Sequence, residues 1–255
     1  MGEINLINEF RKKLKKNKAI IGSWTQICDP SIVEIMCSYK IDWICFDLEH
    51  GVFSTHNIAN LVRAAELKKK IKLARLPNHN KEFCSQVLDA GCDGIIVPNI
   101  KSAKELKYFR DAIYYPPKGK RGVGYSRENL FGKNFTKNIK KKKNPILVAM
   151  IENKTGVENL KEILKIKELD AILIGPYDLS SSLGITGKFN DIKFIKIIDY
   201  IKNITKKTNT SVGMHVLDDN YKTLQSYIKK GFNFLPYCTD AMLLNSSIKA
   251  SFRRK

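Results

Sequence analysis

Eight short apolar runs punctuate the chain, and helical patterns fill much of the space between them. The runs are Ala19–Thr25 (AIIGSWT), Asp42–Leu48 (DWICFDL), Ile71–Leu76 (IKLARL), Gly94–Ile100 (GIIVPNI), Pro145–Ile151 (PILVAMI), Asp170–Gly175 (DAILIG), Ser211–Val216 (SVGMHV) and Phe232–Tyr237 (FNFLPY). They are near-continuously hydrophobic instead of alternating, which is how strands buried on both faces of a parallel sheet read. Helical spacing joins Ile58, Leu61, Val62, Ala65 and Leu67 after the second run, and Ala103, Leu106, Phe109 and Ile113 after the fourth. It returns in Val157, Leu160, Ile163 and Leu164 after the fifth, and in Phe194, Ile197, Ile198 and Ile201 after the sixth. Strand–helix alternation predicts βαβ units, and eight units in 255 residues predict a closed (β/α)8 TIM barrel, an α/β fold. An open doubly wound sheet would usually carry a glycine-rich turn after its first strand, where this chain reads Trp24-Thr25-Gln26-Ile27. Ile4, Leu6, Ile7, Phe10 and Leu14 add a short amphipathic N-terminal helix. No domain boundary or internal repeat is visible, so residues 1–255 are expected to form a single domain.

Composition narrows the setting. No run of about 18 apolar residues exists, so no transmembrane helix and no membrane partner are expected. The basic N-terminus has no apolar stretch behind it and is not a secretory signal. The six cysteines form no CxxC pair and no zinc spacing, and are expected to be free thiols in a cytoplasmic protein. The formal charge of +20 raises the question of nucleic acid, but 37 of the 45 basic residues are lysine, spread over the whole chain. The densest run, Lys140–Lys143, has no interleaved aromatics and reads as a solvated loop, so no nucleic-acid partner is expected. It closes a long connection, Tyr114–Asn144, too long for a plain connector and of the kind that tends to be functional.

In such a barrel the active site lies at the C-terminal ends of the strands, and there polar residues cluster. The second run ends in Asp47-Leu48-Glu49-His50, the third in Arg75, the fifth in Glu152 and the sixth in Gly175-Pro176-Tyr177-Asp178. Neighbouring strands lie about 4.8 Å apart, so Glu152 and Asp178 are expected to emerge side by side. Two carboxylates so placed repel unless a cation sits between them, and oxygen ligands suit Mg²⁺ or Mn²⁺. The competing reading for Asp178 is a helix N-cap. His50 suits a general acid/base, since histidine titrates near neutrality. Arg75 is a permanent cation for a carboxylate or a developing enolate, unless it is spent on Asp47 or Glu49. Backbone N–H groups around Tyr177 are suited to a carboxylate.

Five segments, FDLEHG (46–51), LDAGCDGIIVP (88–98), KRGVG (120–124), MIENKTG (150–156) and IGPYDLS (174–180), resemble the HpcH/HpaI aldolase family, in order and at suitable spacing. The resemblance runs from about Gly22 to Gly187 and fades beyond. It implies a class II pyruvate aldolase built as a (β/α)8 barrel, commonly hexameric, holding Mg²⁺, Mn²⁺ or Co²⁺. Carried over, Glu152 and Asp178 would be the metal ligands, His50 the acid/base and Arg75 the enolate stabiliser. Asp89 would orient His50 from a neighbouring subunit, and Asp47 would support the network. Gly175 and the backbone of Tyr177 and Asp178 would bind the pyruvate carboxylate. Well-studied members often have Gln where this chain has Met150, and a small residue where it has Tyr177. Both departures would reshape the substrate pocket and leave the chemistry alone.

The expected function is cleavage or formation of the C3–C4 bond of a 4-hydroxy-2-oxo acid, with pyruvate and an aldehyde as partners. The alternatives are an acyl-CoA lyase of the citrate-lyase-like kind and a Schiff-base aldolase. The latter needs a desolvated lysine at the mouth, and Lys72 stands near the start of its strand, the wrong end. The apolar Met242, Leu243, Leu244 and Ile248 are expected to pack on this barrel or on a neighbour's in a homo-oligomer.

Overall fold

The computed structural model describes residues 3–136 and 144–252, so the Lys140–Lys143 run lies outside the described residues. Eight parallel strands close in sequence order: β1 (Ile20–Thr25), β2 (Trp43–Asp47), β3 (Ile71–Arg75), β4 (Gly94–Val97), β5 (Ile146–Ile151), β6 (Ala171–Ile174), β7 (Ser211–Met214) and β8 (Phe234–Thr239). Every apolar run found in the sequence is therefore a strand, within a few residues. The eighth begins two residues later than expected. The fourth stops early at Pro98, whose missing N–H cannot extend the ladder; the next residue, Asn99, takes a left-handed φ of 50°. The helix expected at the N-terminus is α1 (Glu3–Lys15). Its Ile7, Phe10 and Leu14 plug the base of the barrel against Ile20, Trp43, Ile71 and Phe234.

The helices seen in the sequence are α3 (Thr55–Leu67) after β2, α5 (Ala103–Ile113) after β4, α6 (Lys154–Glu158) with α7 (Leu160–Ile163) after β5, and α9 (Ile192–Thr205) after β6. Further helices are α2 (Pro30–Cys37) after β1, α4 (Glu82–Asp89) after β3, α8 (Pro176–Ser182) between β6 and α9, α10 (Tyr221–Lys229) after β7 and α11 (Asp240–Ser251) after β8. Local signals set their starts. Asp29 accepts from Ser31 N–H ahead of Pro30 at the first helical position, and Asn220 and Thr239 cap α10 and α11 in the same way.

The core has two layers. Inward side chains fill the barrel with Trp24, Trp43, Cys45, Leu73, Ile96, Val148, Met150, Leu173 and Phe234, and outward ones meet the helices. Large rings need small neighbours. Trp43 and Phe234 stack at 4.5 Å between centroids, and a Cβ on Gly22 would fall 2.1 Å from the Trp43 ring.

At the base one contact repeats four times. Asp42, Asp93, Asp170 and Asn233, each just before an even-numbered strand, accept through side-chain oxygens from the N–H of Ile21, Lys72, Leu147 and Val212 at 3.0, 3.0, 3.1 and 3.2 Å. Each also donates its own N–H to the carbonyl of that same partner. Each partner is the second residue of the preceding odd strand, so the motif recurs every two strands. Cations back three of the four: Lys13 on Asp42 at 2.6 Å, Lys72 on Asp93 at 2.9 Å and Arg11 on Asp170 at 2.7 Å. The sequence showed no repeat because the shared feature is one residue per unit.

Candidate active site

The inward parity that places Trp24, Cys45 and Leu73 in the barrel carries Asp47, Arg75, Glu152 and His215 to its C-terminal mouth. Asp47 is fully buried. Its two oxygens accept from Arg75 Nε at 2.8 Å and Nη2 at 2.6 Å. Gln26 Nε2 adds a bond at 3.0 Å, and the backbone N–H groups of Glu49 and His50 add two more at 3.2 Å. Burial alone would raise the Asp47 carboxyl, but the Arg75 hydrogen bonds outweigh it and hold Asp47 below the usual carboxylate range. Burial likewise works against the charge on Arg75, and Asp47 overrules it. Arg75 Nη1 also pairs with Glu49 Oε2 at 2.9 Å. The salt bridge set against a substrate role in the sequence reading thus exists. It occupies three of the five guanidinium donors and leaves two. The guanidinium carbon lies 4.4 Å from the Trp24 ring centroid.

Glu152 follows β5 and is 6% exposed. Among the described residues only its Oε1 accepts a hydrogen bond, from Asn99 N–H at 2.6 Å. Burial pushes its carboxyl up to about 7, helped by the nearby charges of Asp178 and Glu49 and opposed by the Asn99 bond. Gly175, the N-cap of α8, leaves it room: a Cβ there would lie 2.5 Å from Glu152 Oε2 and 3.4 Å from the Met150 methyl carbon. Met150 is buried beneath, as part of the barrel filling. Asp178 is exposed in the first turn of α8, and Gly175, not Asp178, holds the cap position. Tyr177 is 50% exposed and meets Phe189 edge-on at 5.1 Å. Glu49 is half-buried; burial raises it, and Asp178 adds to the effect. The charge of Asp178 thus reaches both Glu152 and Glu49, although no group of three or more acid, histidine or cysteine side chains converges as a metal cluster among the described residues.

His50 is exposed above Asp47, with its backbone fixed and its imidazole facing solvent. Asp89 is not brought to it within the chain. It ends α4 at the opposite face of the barrel, 43% exposed, where fully buried Arg121 of the KRGVG segment holds it at 2.7 Å and Glu128 at 2.6 Å. Lys72 also lies at the base, paired with Asp93. A surface groove of about 570 Å³ there, lined by Arg11, Tyr114, Glu168 and Asp170, contains none of the mouth acids. Sequence reading passed over Trp24, Gln26, Asn99 and His215. His215, at the end of a strand, carried the same signal as Glu152.

A closed parallel barrel whose acids and arginine converge at the strand C-termini defines the class: an enzyme of the (β/α)8 type. Residues 21–246 match the HpcH/HpaI aldolase/citrate lyase family, and the chain belongs to it. Over 97% of its length it is 32% identical to a hydroxypyruvate/pyruvate aldolase of Roseobacter denitrificans, covering 98% of that protein. It is 26% identical to a 4-hydroxy-2-oxovalerate aldolase of Novosphingobium aromaticivorans over 97% of the chain and 94% of that protein. The crystal structure of an HpcH/HpaI aldolase from Desulfitobacterium hafniense DCB-2 superposes with a TM-score of 0.87 at 26% identity, covering 94% of both chains. The chain is thus an enzyme of the aldolase class, which makes or breaks carbon–carbon bonds.

Proposed function

We propose that the enzyme cleaves or forms the C3–C4 bond of a 4-hydroxy-2-oxo acid, giving pyruvate and an aldehyde with the help of a divalent cation. The observation that carries this reading is Glu152, a buried carboxylate whose Oε2 accepts no hydrogen bond among the described residues and whose neighbours are other acids. Such a group is stabilised by a cation and costly without one. Glu152 and Asp178 would hold Mg²⁺, Mn²⁺ or Co²⁺ there, and all-oxygen donors suit these hard ions. A bound cation supplies Lewis acidity toward the keto oxygen of a 2-oxo acid. Arg75, fixed in plane by Asp47, uses its remaining donors to bind the same oxygen and to favour the charge that develops on it. The backbone N–H groups opening α8 at Tyr177 and Asp178 receive the carboxylate. His50, exposed above Asp47, takes the C4 hydroxyl proton as the bond breaks and returns it in synthesis. Met150 and Tyr177 border the pocket.

A homo-oligomer, a hexamer by the family pattern, fits two features. Asp89 is held at the surface away from its own His50, available to a neighbour's. Leu243, Leu244 and Ile248 of α11 are 40%, 48% and 49% exposed, which leaves apolar surface that a neighbour could cover. No helix among the described residues is long and apolar enough to cross a membrane; a cytoplasmic setting with small-molecule partners fits the reading. The test is exchange of the pyruvate methyl protons with deuterated water, followed by NMR. Exchange that EDTA stops and Mg²⁺ or Mn²⁺ restores is expected; no exchange with any divalent metal would overturn the proposal.

A further inference from the structure

His215, at the end of β7, has no task in the chemistry above, yet it sits among the groups that perform it. Its ring is 9% exposed, and Nε2 is buried with no hydrogen-bond partner among the described residues. It stacks on Trp24 at 4.9 Å between centroids, with the planes 17° apart. Trp24 in turn lies 4.4 Å from the Arg75 guanidinium carbon. A bidentate carboxylate fixes a guanidinium within their common plane but leaves tilt about the line joining them soft. The Trp24 face limits that tilt, and the ring on Trp24 limits where the indole can move.

We propose that His215 is a positioning residue, a planar backing for Trp24 that sets the tilt of Arg75 toward the substrate oxygen. The inference rests on the pyruvate-aldolase reading. Burial and the neighbouring Arg75 push the imidazole down to about 3, so the ring is uncharged and adds no repulsion to the guanidinium. Its grip is the stack, since its Nε2 makes no bond. Buried polar atoms left unpartnered are unfavourable, so an all-carbon ring should serve at least as well.

The experiment compares wild type, His215→Leu and His215→Phe in pyruvate exchange, in steady-state cleavage and in thermal unfolding. Loss of a stacked ring and a loosened cation–π contact are together worth roughly tenfold in rate. His215→Leu should therefore lower kcat about tenfold and change KM by less than about threefold, because the tilt matters most as charge develops. His215→Phe should restore kcat to within about threefold of wild type and unfold at a higher temperature. A Phe variant as impaired as Leu would overturn the proposal, because the nitrogen itself would then be at work. A Leu variant with unchanged kcat would overturn it as well. Exchange by the wild type keeps these failures distinct from failure of the pyruvate reading.

Discussion

Replacing Glu152 by Gln should stabilise the metal-free protein at pH 8 and leave it nearly unchanged at about pH 4. The carboxyl is buried, and its pKa rises from 4.5 to about 7. An acid raised in this way binds its proton more tightly folded than unfolded. Stability is therefore retained below about pH 4.5, falls as the pH climbs toward 7, and stays reduced above it. At about 1.4 kcal/mol per pH unit, the displacement from 4.5 to about 7 costs about 3 kcal/mol at pH 8. Gln cannot ionise, and its carbonyl still accepts from Asn99, so the variant escapes that cost. For a chain of this size 1 kcal/mol moves the unfolding midpoint by about 2–4 °C. The expected gain is up to about 10 °C at pH 8, read by differential scanning fluorimetry in EDTA. Adding Mg²⁺ or Mn²⁺ at pH 8 should raise the midpoint of the wild type and not of the variant. An equal shift at both pH values, or a lower midpoint at pH 8, would refute the assignment of Glu152 as an unmet buried charge.

Arg75→Lys keeps the charge and loses the fork. Forfeiting one charge-assisted bond to Asp47, worth about 1.5–3 kcal/mol, should lower kcat/KM for cleavage by roughly 10- to 100-fold in steady-state assays. His50→Gln should slow cleavage of a 4-hydroxy-2-oxo acid by about 10²–10⁴-fold. Its unfolding midpoint should stay that of the wild type, since the side chain is exposed; a shifted midpoint would mark the residue as structural. Lys72→Met removes the cation 2.9 Å from buried Asp93 and should destabilise by about 3–5 kcal/mol in urea unfolding. Borohydride with pyruvate should leave no adduct on wild-type Lys72, and mass spectrometry would reveal one if a Schiff base formed.

The barrel was legible because a strand buried on both faces needs nothing but apolar residues, and eight such stretches stand out against lysine-rich surroundings. Helices of eight or nine residues, such as α2 and α4, were not visible, because two turns bury too few positions to set a period. The mouth was half legible. Asp47, Arg75 and Glu152 end apolar runs, so position alone marked them. Met150, expected in the substrate pocket, is part of the barrel filling, as is Trp24; their place beneath the site depends on inward parity and strand stagger. Asn99 contributes a backbone N–H, which no residue type announces. Asp89 and His50 stand apart because Asp89 closes the C-terminal end of α4 whereas His50 lies in the turn that follows β2 at the mouth, and that appears only once the elements are assembled.

The fourfold ring of contacts at the base gives the two ends of the barrel different freedoms. A strand displaced by one residue would turn its side chains to the wrong face. It would also break the paired bonds of Asp42, Asp93, Asp170 or Asn233. Alignment is thus set far from the chemistry, by residues the reaction never touches. The segments over the mouth can then be lengthened, shortened or rewritten without reopening the question of which strand lies beside which. A scaffold divided in this way can exchange one aldehyde for another by editing its rim, while its foundations stay as they are.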